Sequence, residues 1–136
     1  MSPKDLKLSV LEGLYTIHRF PSDHDIPEQV YESEFYSISK SEDELSIVCN
    51  SSILLNSEKN ESGWSCIKVS GALDFSLTGI LADISAVLAG AEISIFAIST
   101  FDTDYILIKS QDLPSAGKAL LSSGYTLSLN DSKQNR

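Results

Sequence analysis

Basic residues are scarce in this chain: ten Lys+Arg stand against nineteen Asp+Glu, a formal charge of −9. Wrapping nucleic acid requires a basic face that displaces counterions, so the balance argues against that class of partner. It argues against docking on an anionic membrane for the same reason. Cysteine is scarce as well. Cys49 and Cys66 form no CxxC pair, and each lies inside an apolar, strand-like run. They read as reduced core thiols of a cytoplasmic protein. The N-terminal MSPKDLKLSV holds no apolar run long enough for a signal peptide, and no segment is long enough to span a bilayer. The sequence also lacks a P-loop, a dinucleotide-binding glycine pattern, a nucleophile elbow and a Ser-His-Asp spacing. No enzyme activity and no cofactor are therefore expected. Asp23, His24 and Asp25 stand together in SDHDIP, but the setting is that of an exposed acidic loop, and no metal is expected there.

Apolar residues make up 42% of the 136 positions, enough for a packed core in one ordinary domain or two small ones. The acidity is uneven. Residues 20–62 carry ten acids and two bases (Lys40 and Lys59), a net of −8. The rest of the chain is nearly balanced.

Between Trp64 and Leu127 the order of elements is clear. WSCIKVSG reads as a strand ending on Gly71. Leu77, Ile80, Leu81, Ile84 and Leu88 then follow helical spacing, and Gly90 is expected to end that helix. EISIFAIS and YILIK read as two strands joined by the polar Thr100–Asp104 connection. Asp112 is expected to cap a second helix, with Pro114 in its first turn and Gly124 at its end, before a short strand YTL. This β-α-β-β-α-β order is the split βαβ arrangement of a ferredoxin-like sandwich, an α+β class.

The chain also resembles itself. With an offset of 60, FYSISKSEDELSIVC (35–49) lies over IFAISTFDTDYILIK (95–109), so that Ile38 meets Ile98, Ser39 meets Ser99 and Glu44 meets Asp104. SVLEG (9–13) resembles IKVSG (67–71). Two tandem modules of one topology are expected, an irregular one at 1–60 and a regular one at 61–128, with a polar tail at 129–136. In the first, LYTIHRF reads as a strand, IPEQVYES as two helical turns, and SSILL (51–55) as the start of a second helix. Modules this small bury only about 60% of their unfolded surface, so side-by-side packing and dimerisation are expected.

Two segments are candidates for chemistry. In VSGALDFSLTGIL a strand ends at Gly71, a loop carries Asp74 and Ser76, and a helix begins near Leu77 with Gly79 in its first turn. A helix N-terminus can seat a carboxylate, and a glycine there admits a ligand closely. The same residues also suit simple helix capping. STFDTDY (99–105) brings three aliphatic hydroxyls and two carboxylates into seven positions, suited either to a ligand's ammonium group or to an ordinary solvated turn. Asp102 and Asp104, about 7 Å apart along a strand, have nothing beside them that looks like a catalytic apparatus.

SGALDFSLTGILADISAVLAGAEISIFAISTFDTDYILI resembles the ACT domain, a small amino-acid-sensing module of metabolic regulation. ISIFAIST stands where the similar stretch of aspartate kinases has an I-S-V-x-x-I-S/T-T strand. The pattern G-x-L-D-F-S-x-T-G-I is filled by Gly71, Leu73, Asp74, Phe75, Ser76, Thr78, Gly79 and Ile80. F-A-x-S-T-F-x-T-D-Y-I-L is filled from Phe96 to Leu107. This is similar to small ACT-repeat proteins related to the CASTOR-type cytosolic arginine sensors. The resemblance implies two ACT folds, a homodimer, and an amino-acid ligand at a module or subunit interface. By the same resemblance, Gly71, Asp74, Ser76, Thr78 and Gly79 line one side of the ligand, and Ser99, Thr100 and Asp104 the other. The function implied is a non-catalytic regulatory sensor acting through its dimer or a regulatory protein partner. The alternative is a protein–protein interaction module whose ligand pocket is vestigial.

Overall fold

Alternation of apolar and polar side chains sets the strands, and two apolar stripes set the helices. The computed structural model describes residues 6–71 and 77–129, in two units. One comprises Gly13–Trp64; the other joins the N-terminal residues up to Glu12 with those from Ser65 onward. The strand β5 (Lys59–Gly71) contributes its first half to one unit and its second half to the other.

In the unit built around the C-terminal half, β1 (Leu6–Val10) pairs antiparallel with β5, Leu8 facing Val69 and Val10 facing Ile67. β5 also pairs with β7 (Asp104–Lys109), which pairs antiparallel with β6 (Phe96–Ser99). The short β8 (Leu127–Ser128) runs parallel to β1 on its other side. Helices α1 (Leu77–Gly90) and α2 (Leu113–Ser122) supply the second layer. Ile80, Ile84 and Leu88 recur every fourth residue on α1, and Ala116 and Leu120 do so on α2. These side chains bury against Leu6, Leu8, Val10, Ile67, Val69, Ile106 and Ile108 of the sheet in one core.

Both helices end in the same way, and α1 stops on Gly90 as expected. The amide of Tyr125 donates to the carbonyl of Leu120 (2.9 Å), with Gly124 at φ 94°. The amide of Ile93 donates to the carbonyl of Leu88 (3.0 Å), and here Glu92, not Gly90, takes the left-handed conformation, at φ 62°. Asp112 occupies the N-cap of α2 without a capping side-chain bond, while Pro114 sits in the first turn as expected.

In the Gly13–Trp64 unit, β2 (Tyr15–Phe20) lies between β4 (Leu45–Asn50) and the first half of β5, and β3 (Ser37–Lys40) pairs only with β4 among the described strands. All these pairings are antiparallel. Phe20, Val30, Leu45, Ile47 and Cys49 form the core of this unit. IPEQVYES folds into two helical turns as expected, of the 3-10 type, over Glu28–Glu32. One expectation fails here. Residues 51–55 form no helix, because Asn50 turns the chain: its Oδ1 accepts the amide of Ser52 (2.9 Å) and its carbonyl accepts that of Ile53 (3.0 Å).

Candidate functional site

The two hairpins β3–β4 and β6–β7 share one register and turn closure, and these correct the sequence offset. The last pair of the first is Lys40 with Leu45, and of the second Ser99 with Asp104. Both four-residue connections are closed by one backbone bond, Ser41 to Glu44 (2.9 Å) and Thr100 to Thr103 (2.8 Å). The structural offset is thus 59, not 60. Ser99 corresponds to Lys40 rather than Ser39, and Asp104 to Leu45 rather than Glu44. β4 and β7 also share one burial pattern, residue for residue.

That equivalence singles out Asp104. Leu45 is 1% exposed and belongs to a core, as an apolar side chain at that position should. Asp104 is only 6% exposed, and its carboxylate borders the exposed face of β6 rather than being sealed in the core. Asp104 alternates with Ile106 and Ile108, so it points to the face of the sheet that packs on the helices. Ser99 lies directly opposite it, and Ala97 opposite Ile106, on that same face. Ala97 and Ser99 are exposed, so the helix-side face of β6 is open beside the Asp104 carboxylate. Ala97 was not among the residues expected here; its signal in the sequence was its spacing of two from Ser99.

The topology brings further candidates to the same end. One helix joins β5 to β6, so these two strands of one sheet run parallel. β7 is antiparallel to β6. The end of β5 at Gly71, the start of α1 at Leu77, the end of β6 at Ser99 and the start of β7 at Asp104 therefore share one edge of the unit. Thr78 lies in the first turn of α1. Gly79 is exposed there, and a Cβ added to it would meet nothing within 4 Å. Asp74 and Ser76 lie outside the described residues. Thr100 shapes the turn: its hydroxyl donates to the carbonyl of Thr103 (2.9 Å) and accepts from the Thr103 amide (3.2 Å). Asp102 is exposed in that turn, whereas Asp104 is buried, so the two do not form a carboxylate pair.

The nearby titratable groups are quiet at neutral pH. Burial pushes the Cys66 thiol up to about 12. Burial also raises the Tyr105 phenol, reinforced by Cys66 and opposed by a bond with Thr103. Tyr125 donates to the Asp83 carboxylate, and burial together with that bond and charge holds its phenol at about 12. Both cysteines are free and buried. Among the described residues no three His, Cys, Asp or Glu side chains converge as metal ligands, and no helix is long and apolar enough to cross a membrane.

A ferredoxin-like α+β module with an open strand face beside a buried acid is the class these features define. Residues 59–122 match the model of the ACT domain, and residues 13–54 match a separate model, that of an N-terminal domain. A structural-genomics protein from Agobacterium tumefaciens is 37% identical, over 92% of this chain and 93% of its own, with a TM-score of 0.85. The chain carries an ACT domain over residues 59–122. A Vibrio cholerae protein of unknown function, described as a possible transport protein, is similar at 18% identity over 89% of this chain and 91% of its own (TM-score 0.68). The ligand-free regulatory subunit of aspartate kinase from Thermus thermophilus is similar at 10% identity over 86% of this chain and 95% of its own (TM-score 0.60). At such identities the last two show the fold alone. A search of curated proteins returns no match.

Proposed function

We propose that this protein is a non-catalytic regulatory module that binds a small amine-bearing molecule, an amino acid, at the end of the sheet marked by Asp104. The carrying observation is the acid at a position only 6% exposed, bordering the exposed face of β6 and standing where the sister hairpin has Leu45. A ligand ammonium group satisfies that carboxylate with a charge-assisted bond, and the Ser99 hydroxyl adds a second acceptor. The ligand carboxylate lies toward the start of α1, beside Thr78 and Gly79 of its first turn and near Gly71, Asp74 and Ser76 in sequence, where the helix N-terminus attracts a negative charge. Thr100 holds the turn that carries Asp104. The same reading includes a homodimer, a cytoplasmic location, a response passed to a regulatory protein partner, and no cofactor, nucleic acid or membrane. The match of residues 59–122 to the ACT domain supports it.

The test is a melting screen against the common amino acids. A ligand at a hundred times its Kd stabilises the fold by about 2.7 kcal/mol, a shift of several degrees. Asp104→Asn should lose the shift while remaining folded. A screen in which no amino acid moves the transition overturns the proposal.

A further inference from the structure

The N-terminal unit presents a second surface, unrelated to Asp104. β3 ends its sheet: it pairs with β4, and no described strand pairs with its outer side. An edge of this kind is a template for another extended chain. At the head of β3, Tyr36 (38% exposed) meets Tyr31 (54% exposed) of the 3-10 helix, with ring centroids 5.6 Å apart and planes at 76°. Two exposed rings at nearly a right angle form a corner whose π faces attract a cation. Exposed Glu28, Glu32 and Glu34 flank the corner in sequence, and exposed Glu42 and Asp43 stand in the turn at the other end of β3.

We propose that the outer edge of β3 and the Tyr31–Tyr36 corner dock a basic, extended segment of a partner protein. Charge selects that occupant. The segment 20–62 is the most acidic of the chain, at −8, and between Phe20 and Glu58 its one base is Lys40 on β3 itself. A second copy on this edge would bring a second −8 against the first, so self-pairing is disfavoured. A strand with Arg or Lys at alternate positions places its cations on one face, between the tyrosines and the carboxylates, while its backbone completes the ladder.

The full chain, labelled for amide NMR, is titrated with an eight-residue peptide alternating Arg and Val, and with one alternating Glu and Val. The Arg peptide should shift the amides of Ser37–Lys40 together with those of Tyr31 and Tyr36, and its affinity should fall several-fold between 0.05 and about 0.3 M salt. Tyr31→Ala and Tyr36→Ala should each weaken it by about tenfold, and Tyr31→Phe should restore most of the loss. Both tyrosines are exposed, and an unchanged melting transition confirms folding. No binding by the Arg peptide, equal binding by the Glu peptide, or indifference to both alanine variants overturns the proposal. Saturation by an amino acid at the Asp104 site has no part in the expected result, so the two proposals fail separately.

Discussion

Leu45 and Asp104 occupy one position in two hairpins of the same geometry, one 1% exposed in a core and the other 6% exposed opposite the open Ser99. The neighbouring positions behave alike in both: Ile47 corresponds to Ile106, Val48 to Leu107 and Cys49 to Ile108, all buried. A carboxylate at a position that the sister hairpin fills with leucine forgoes apolar burial.

The first prediction follows directly. Asp104→Leu should stabilise the unliganded protein by about 1 kcal/mol, since it adds apolar burial at a position only 6% exposed. The variant should show no melting response to any amino acid. Urea unfolding with and without the ligand found for the wild type measures both effects. A destabilised variant would mean that the carboxylate has a structural partner.

A second prediction concerns acid. His18 is 4% exposed; its Nδ1 is 2.8 Å from the Ser57 hydroxyl, and its Nε2 is buried with no described partner. Burial lowers its pKa below the ordinary 6.5. The folded state thus prefers the neutral ring, and the unfolded chain takes up a proton first as pH falls. The contribution of His18 to stability is complete above pH 6.5 and is lost as pH drops through the lower, folded value. Protonation would also add an N–H with no acceptor. Amide exchange in β2 and β4 should therefore accelerate between pH 7.5 and 5 after correction for intrinsic rates. His18→Gln should flatten that dependence, and an unchanged profile in the variant would assign it elsewhere.

What the sequence made legible was whatever a short local period encodes. The stripe Ile80, Ile84 and Leu88 and the pair of similar hairpins were visible because helices repeat at 3.6 and strands at 2. The one-residue error in aligning the hairpins has a physical origin. Residue identities favoured Ser39 over Ser99, but register is set by turn closure, Ser41 to Glu44 and Thr100 to Thr103, and composition does not reveal that. The placement of β1 between β5 and β8 is a long-range pairing with no local signal. The burial of Asp104 was hidden for the same reason: an acid beside a turn reads as solvated until its strand partner is known.

The third prediction tests the helix ends. Glu92 adopts at φ 62° the conformation that Gly124 adopts at φ 94° at the equivalent end of α2. A side chain in the left-handed region costs about 1 kcal/mol relative to glycine. Glu92→Gly should accordingly raise stability by up to about 1 kcal/mol, and Gly124→Ala should lower it by about the same amount. Opposite signs in urea unfolding are the expected result. Two losses would show that the Glu92 side chain contributes more than its backbone costs.

The last prediction uses the phenol of Tyr125. Buried and donating to Asp83, it is held at about 12, against an ordinary value of 10.0. The folded state keeps the proton longer than the unfolded chain does. This contribution to stability is therefore complete below pH 10 and disappears as pH rises through about 12. An ultraviolet titration of the five tyrosines should show a late fraction that diminishes in Tyr125→Phe, although Tyr105, also raised by burial, keeps part of it. Losing the bond should cost about 0.5–1.5 kcal/mol at neutral pH, because the exposed Asp83 left behind is resolvated. A Tyr125→Phe protein with the full late fraction would show that the Asp83 bond does not persist in solution.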